Sequence, residues 1–211
     1  MRIGVVACDI MKRELDKALE GIPGVAEVVY LQAALHVNPA KMKEAIKQQI
    51  ESIRGGVDVI FLGYGFCQSL KGIEEEFDIP VIFPQMDDCI SILFTPERRG
   101  EEIERAAGTW FMTPGWAEAG EEMVFKELHI ERLKGLGIDP LEIAKELFTA
   151  YRRGLYIDTG VGGNEYFIAR AERFCSFFNL ALEKTASSST VLDETLQRCR
   201  VLTQKEPEGN A

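Results

Sequence analysis

The chain has 211 residues, 46% of them hydrophobic, which is enough for one well-buried core and too few for two ordinary domains to be assumed. Its formal net charge of -10 argues against nucleic acid and anionic membranes as partners, because the net electrostatic field would repel both. The remaining partner class is a small-molecule substrate or another protein.

The N-terminal segment and the cysteines indicate the compartment. Residues Arg2–Ala7 are typical of a strand and not of a signal peptide, and no apolar stretch reaches the length of a membrane span. The five cysteines are odd in number and widely spaced, which fits reduced thiols or a metal site better than a disulfide framework. We therefore expect a cytoplasmic protein.

Strand-like and helix-like segments alternate along the whole chain. The predicted strands are Arg2–Ala7, Ala26–Leu31, Val57–Leu62, Ile79–Phe83, Gly108–Met112, Leu155–Asp158 and, at an edge, Leu180–Lys184. The predicted helices are Met11–Leu19, Pro39–Ile53, Leu70–Glu76, a helix starting at Ile90–Leu93, Glu97–Arg105, two helices within Glu121–Arg152, Tyr166–Phe178 and Ser187–Leu202. Parallel strands need such crossover helices. We expect an α/β fold, with a single domain over residues 1–202, a mainly parallel Rossmann-like sheet with helices on both faces, and a flexible polar tail at 203–211.

The third predicted strand, Val57–Leu62, runs directly into a cysteine. Its nearly continuous apolar sequence is typical of a parallel strand covered on both faces, and Gly63-Tyr64-Gly65 then breaks it. Open α/β sheets bind ligands outside the carboxyl ends of their strands. Cys67 therefore stands where a reactive or metal-binding group is expected.

Four potential metal ligands follow four successive predicted strands. They are Cys8, His36, Cys67 and Cys89, and His36 lies in a predicted loop over residues 33–39. Because the carboxyl ends of parallel strands share one edge of a sheet, these side chains are expected to converge. Thiolate sulfur and imidazole nitrogen suit zinc, and also suit iron, nickel or cobalt. The sequence thus predicts a metal site, with zinc as the preferred ion.

Simpler interpretations of the same residues remain open. A single cysteine is often a small buried apolar residue, and His36 fits an exposed loop as well as a ligand position. Asp87 and Asp88 are candidates for a further ligand, for acceptors that orient His36, or for turn and capping residues. A site in which Cys and His fill every position would be structural, because catalysis needs an open position.

Further candidate residues follow other strands. Tyr64 and Glu118 are candidate catalytic residues, with Glu118 as a general base in a predicted loop that begins with Thr113-Pro-Gly-Trp116. Trp116 would supply an apolar wall, although an aromatic residue after Pro-Gly more often packs in the core. We expect Tyr64, Trp116 and the turn at Gly160–Gly163 to line the same cleft as Cys67.

The glycine-rich turn is a candidate cofactor-binding element through Gly160, Gly162 and Gly163. Such a turn can present backbone N–H groups to an anion at a helix N-terminus. It lacks the Lys-Ser/Thr ending of a P-loop and does not match the Gly-x-Gly-x-x-Gly fingerprint. A tight strand-to-helix turn is the alternative interpretation.

Five ordered motifs carry a resemblance to a known family. They are Leu35-His36 with Pro39, Gly63-Tyr-Gly-Phe-Cys67, Asp87-Asp-Cys89, Thr113-Pro-Gly-Trp116 and Ile157-Asp-Thr-Gly160. Together they resemble a family of bacterial and archaeal proteins catalogued as domain-of-unknown-function family 1638, over Cys8 to about Gly160. Its members resemble companions of corrinoid-dependent methyltransferase systems. The resemblance implies a role in one-carbon metabolism, with a corrinoid available through a partner protein.

Three functional hypotheses follow. The first is a metal-dependent enzyme or accessory factor of corrinoid-dependent methyl transfer, in which the metal lowers the pKa of a bound thiol or water. The second is a metal-free racemase-like or lyase-like enzyme that uses Cys67 with Cys8 or Cys89 as two bases. The third is a module that binds a metal or tetrapyrrole without turnover. Metal analysis separates the second hypothesis from the other two.

Overall fold

The computed structural model describes residues 2–66, 68–130, 139–187 and 190–202, and within them parallel strands alternate with helices. The strands are β1 (Ile3–Cys8), β2 (Val25–Leu31), β3 (Val59–Gly63), β4 (Val81–Ile82), β5 (Thr109–Met112), β6 (Arg153–Asp158) and β7 (Ala181–Ala186). The α-helices are α1 (Lys12–Leu19), α2 (Pro39–Ile53), α3 (Cys89–Leu93), α4 (Pro96–Arg105), α5 (Pro114–Glu127), α6 (Pro140–Leu147), α7 (Asn164–Phe178) and α8 (Val191–Leu202). The predicted α/β class is confirmed.

The strands of the described residues form two parallel sheets, where the sequence led us to expect one. Sheet A has the order β2-β1-β3-β4, and sheet B has the order β5-β6-β7. Periodicity identifies strands but does not identify which strands pair, so the division was not visible in the sequence.

The chain also divides into two compact units, each built around one sheet. Unit 1 comprises Met1–Leu93 and Ser189–Ala211, and unit 2 comprises Phe94–Ser188. Helix α8 therefore returns to the unit that contains sheet A. The single domain over residues 1–202 stays a prediction, and the predicted tail at 203–211 lies outside the described residues.

Strands β1 and β3 form the centre of sheet A because nearly all of their side chains are apolar. Every residue of both strands is buried, as expected for strands covered on both faces. Gly63 lies opposite Ala7 in the register, and a Cβ added at Gly63 would stand 2.6 Å from the Cβ of Ala7. Glycine thus lets the carboxyl ends of β1 and β3 approach closely.

Helix α2 follows the sequence pattern and its predicted cap. Asn38 accepts a hydrogen bond from the Lys41 N–H through Oδ1 at 3.1 Å, and Pro39 occupies the first turn. Its buried residues recur at helical spacing and face the core of unit 1: Met42, Ile46, Ile50 and Ile53.

Two segments differ from the predicted elements. The segment after β5, predicted as a loop, begins helix α5, because Pro114 fits the first turn of a helix and Thr113 supplies its extended N-cap position. A backbone break at Gly120, with φ 60° and ψ -148°, interrupts this helix. The predicted helix at Leu70–Glu76 is instead made of two 3-10 segments, Gln68–Leu70 and Ile73–Glu76.

A buried ion-pair network ties the elements of unit 2 together at the amino end of β6. Arg153 is 4% exposed, and its guanidinium lies 2.7 Å from a carboxylate oxygen of Glu102 and 3.0 Å from one of Glu183. It also donates to the Thr109 hydroxyl at 2.7 and 2.9 Å. These contacts join α4, β5, β6 and β7.

None of the helices in the described part of the chain is long and apolar enough to cross a membrane.

Candidate functional site

The carboxyl edge of sheet A brings several predicted site residues together. Cys8 is the last residue of β1, Tyr64 follows β3 directly, and Cys89 opens α3 after β4. The register that pairs Ala7 with Gly63 places Cys8 beside Tyr64. Both side chains are buried, each with 6% exposure, and Cys89 is partly exposed.

The loops that follow β3 and β4 are in direct backbone contact. The Phe66 N–H donates to the Met86 carbonyl at 2.5 Å, and the Phe66 and Phe83 rings stack with centroids 5.7 Å apart. A Cβ added at Gly65 would lie 2.5 Å from the Cα of Asp88, so only glycine permits this approach. Phe66 precedes Cys67 and Asp88 precedes Cys89, so the residues adjoining both cysteines are held at the same sheet edge.

The segment that carries His36 is fixed to the same edge through an aspartate. Asp9 follows Cys8, and its Oδ1 accepts a hydrogen bond from the Ala33 N–H at 2.7 Å. Ala33 begins the 3-10 helix Ala33–Val37, which replaces the predicted loop. His36 is exposed on that helix. The function of Asp9 was not anticipated from the sequence, although an aspartate next to a strand end commonly bonds nearby backbone N–H groups.

Cys8 lies within electrostatic reach of Cys89. Burial raises the pKa of the Cys8 thiol, the negative charge of Cys89 raises it further, and a hydrogen bond from the Ile10 N–H partly opposes both effects. Residues far apart in the sequence therefore interact electrostatically at this edge. The Cys8 thiol is protonated at neutral pH in the absence of a nearby cation.

Tyr64 is a buried phenol in the same group of residues. Its hydroxyl has no hydrogen-bond partner in the described structure. Burial raises the pKa of Tyr64, and the negative charges of Cys8 and Asp9 raise it further. Tyr64 is therefore a neutral hydrogen-bond donor at this edge.

The predicted four-ligand metal site stays a prediction. Among the described residues, no group of three or more His, Cys, Asp or Glu side chains is placed to hold a metal ion. Cys67, the central ligand of the prediction, lies outside those residues. Cys8 and Cys89 are the predicted ligands whose proximity is visible.

The two aspartates before Cys89 have different surroundings. Asp88 Oδ1 accepts a hydrogen bond from the Ser91 N–H at 2.7 Å, which is the turn and capping arrangement expected as one alternative. Asp87 is exposed.

The carboxyl edge of sheet B carries a closed polar network around the glycine turn. Asp158 accepts from the Gly160 N–H at 2.8 Å and from the Asn164 amide at 2.7 Å. The Tyr156 hydroxyl donates to Asn164 Oδ1 at 2.8 Å. Gly160 and Gly163 have φ of 70° and 81°, which favours glycine at both positions. The network stabilises the turn itself, and the cofactor role of Gly160, Gly162 and Gly163 stays a prediction.

This network was not predicted from the sequence because its side-chain bonds depend on the conformation of the turn between Asp158 and Asn164. The available signal was Asp158 at a strand end followed by Thr-Gly, a spacing at which aspartate bonds a backbone N–H two residues later.

Trp116 and Glu118 lie on α5 in unit 2 and not in a loop. The Trp116 ring meets the Trp110 ring edge-on with centroids 6.3 Å apart, which is core packing. The Glu118 carbonyl accepts from Arg170 Nη2 at 2.8 Å, joining α5 to α7. The general-base role of Glu118 and the shared cleft with Cys67 stay predictions.

Comparison with protein families finds one that matches most of the chain. A family model described as "Protein of unknown function (DUF1638)" matches residues 30–196. Comparison with curated proteins finds no match.

Proposed function

We propose that this chain, which belongs to the DUF1638 family, is a metal-binding protein whose site lies at the carboxyl edge of sheet A. Its proposed ligands are Cys8, Cys67 and Cys89, with His36 as the fourth candidate, and zinc is the preferred ion. The observation that carries this proposal is that Cys8 ends β1 and Cys89 follows β4 in the same sheet, close enough for ionised Cys89 to raise the pKa of Cys8.

The chemistry of this edge supports a cation. Two neighbouring thiols, one buried and one partly exposed, cannot both ionise at low cost unless a positive charge compensates them. A divalent metal ion supplies that charge and binds thiolates directly. Besides burial, three groups of the described residues shift the pKa of Cys8: Cys89, Asp9 and the Ile10 N–H. None of the three is a cationic side chain.

Close backbone contacts fix the segments next to the proposed ligands. Glycines at positions 63 and 65 allow contacts that a side chain would prevent, the first with β1 and the second with the loop before Cys89. Asp9 anchors the short helix that carries His36. These contacts hold the surroundings of the proposed ligands at one edge without metal.

The biological role that we propose is that of an enzyme or accessory factor of corrinoid-dependent methyl transfer. The support is the resemblance to proteins that accompany corrinoid methyltransferase systems. In such a role the metal would lower the pKa of a substrate thiol or water, and a corrinoid protein or small molecule would be the partner. A metal or tetrapyrrole module without turnover would use the same ligands.

A metal-free cysteine enzyme that uses Cys67 with Cys8 or Cys89 as two bases is the alternative, and the electrostatic interaction of Cys8 with Cys89 is also compatible with it. A cysteine base requires a lowered thiol pKa, usually through a nearby cation or a helix N-terminus. The pKa of Cys8 is raised instead. The metal-binding proposal therefore ranks first.

Metal analysis of anaerobically purified protein tests the proposal. We expect about one zinc per chain in the wild type, and well under half of that in Cys67→Ser and in Cys89→Ser. Cys175→Ala is the matched control, because Cys175 is buried on α7 in unit 2, whereas the proposed ligands belong to unit 1. Full metal retention in both serine variants, or wild-type protein free of metal, would contradict the proposal.

A further inference from the structure

The hydroxyl of Tyr64 is a buried polar group without a hydrogen-bond partner in the described part of the chain. The residue is 6% exposed, and no atom of the described residues bonds its oxygen. Buried hydroxyl groups nearly always have a partner, so an orphaned one marks a place where a ligand or a water molecule binds.

The position of Tyr64 in the fold identifies the site. It directly follows β3, whose last residue, Gly63, stands opposite Ala7 in β1. Burial is the main cause that raises the pKa of Tyr64, and the nearby Cys8 and Asp9 raise it further. The phenol therefore lies within electrostatic reach of the residues that end and follow β1, at the carboxyl edge where open α/β sheets bind ligands.

The charges around Tyr64 restrict the chemical class of the ligand. The phenol is protonated at neutral pH, so it donates its hydrogen to an atom with a lone pair. Asp9, whose side chain is exposed, supplies a negative charge, and no described group that shifts the pKa of Tyr64 is cationic. An anion would be repelled by Asp9, and an ammonium group has no lone pair to offer. The remaining class is an uncharged acceptor.

The surface next to Tyr64 in the chain is apolar, which also suits an uncharged ligand. Phe66 lies two residues after Tyr64 and is partly exposed, and its ring stacks on that of the buried Phe83 with centroids 5.7 Å apart. Ligand sites are typically lined by apolar and aromatic side chains, with a few polar groups that fix the orientation of the ligand. Tyr64 supplies such a polar group.

We propose that the carboxyl edge of sheet A binds an uncharged carbonyl compound, and that Tyr64 donates a hydrogen bond to its carbonyl oxygen. A carbonyl oxygen offers two lone pairs and carries no net charge, so it meets both conditions. A phenol that stays protonated orients this oxygen and stabilises negative charge that develops on it during a reaction. The inference does not depend on the proposed metal site, because it uses neither a metal ion nor a thiolate.

Binding of benzamide and benzoate tests the inference, because the two probes have nearly the same shape and differ in charge. Saturation-transfer NMR on the anaerobically purified protein measures the dissociation constant of each probe. We expect saturable binding of benzamide, weaker binding of benzoate, and about fivefold weaker binding of benzamide to Tyr64→Phe, which loses one hydrogen bond. Without probe, the melting temperature of Tyr64→Phe should equal or exceed that of the wild type, because the removed hydroxyl has no partner among the described residues.

Tyr156→Phe is the matched control, because the Tyr156 hydroxyl donates to Asn164 in unit 2. This variant should melt at a lower temperature and bind benzamide as the wild type does. Equal benzamide affinity in Tyr64→Phe would overturn the inference, and so would a wild type that does not bind benzamide, which would leave water as the partner of the hydroxyl. Benzoate that binds as tightly as benzamide would overturn the uncharged class. Metal content measured on the same samples lets this inference and the metal site fail separately.

Discussion

The carboxyl edges of sheets A and B place polar side chains at equivalent points of a parallel sheet, yet they use them differently. At the edge of sheet B, Asp158, Asn164 and Tyr156 bond one another and a backbone N–H of the turn. At the edge of sheet A, Cys8 and Tyr64 are buried together, and the Tyr64 hydroxyl has no partner among the described residues.

The difference separates two reasons for placing polar atoms at a strand end. A network whose donors and acceptors are matched within the protein stabilises the fold. A buried group without a partner destabilises the fold unless something else binds it, so its presence favours a function. By this criterion the carboxyl edge of sheet A carries a candidate site, and the turn that follows β6 in sheet B is structural. The Thr113 hydroxyl, which follows β5 in sheet B, also has no partner among the described residues.

The largest expected effect concerns the buried charges of unit 2. Replacing Arg153 with Met should lower the free energy of unfolding by about 3 kcal/mol, because the Glu102 carboxylate loses its buried cation and keeps only its pair with Arg105. Urea denaturation measures this change. The same replacement at Arg173, whose side chain is 70% exposed in its pair with Glu121, should cost under about 1 kcal/mol.

These two variants test whether the polar network of unit 2 contributes to stability alone. Arg153→Met should leave the metal content of the folded protein unchanged. An equal loss of stability at Arg153 and Arg173 would show that the buried network contributes no more than an exposed pair.

The second prediction concerns the turn at the edge of sheet B. Asp158→Ala removes an acceptor of two hydrogen bonds, one from the Gly160 N–H and one from Asn164. We expect a loss of about 2 kcal/mol in the free energy of unfolding, measured by urea denaturation. Asp78→Ala is the control, because the Asp78 carboxylate is fully exposed and its contact with Arg54 is long, at 3.8 Å. This replacement should change the free energy of unfolding by under about 0.5 kcal/mol. Unchanged stability in Asp158→Ala would contradict a structural role for this turn.

Most of the secondary structure could be predicted from local pattern. The apolar run in β3 and the Asn38-Pro39 start of α2 encode their structures within a few residues. The segment after β5 was misassigned because Thr-Pro-Gly-Trp fits both a turn and a helix start. The division into two sheets depends on pairing between distant segments, which periodicity does not encode.

The candidate site was predictable in outline for a topological reason. In a parallel sheet, residues that follow strands reach one edge, so the proximity of Cys8 and Cys89 followed once the strands were identified. The roles of Asp9 and Asp158 were not predictable in the same way. Asp9 bonds the backbone of a distant segment, and Asp158 bonds groups of the turn that follows it. Both roles depend on loop conformations that the sequence pattern does not specify.

The smallest expected effect comes from two buried threonines at the ends of β5, one with hydrogen-bond partners and one without. The Thr109 hydroxyl donates to the Ala106 carbonyl at 2.6 Å and accepts from Arg153, whereas the Thr113 hydroxyl has no partner in the described residues. Valine has nearly the shape of threonine and lacks the hydroxyl, so each replacement isolates the polar contribution.

Thr109→Val should lower the free energy of unfolding by about 1–3 kcal/mol, because the Arg153 guanidinium loses an acceptor in a buried site. Thr113→Val should leave it unchanged or raise it by up to about 1 kcal/mol, because no hydrogen bond is lost and a buried polar atom is removed. Urea denaturation of the two variants side by side gives both values. If Thr113→Val were as destabilising as Thr109→Val, an orphaned hydroxyl at a strand end would not signal a missing ligand, and the same reasoning at Tyr64 would lose its basis.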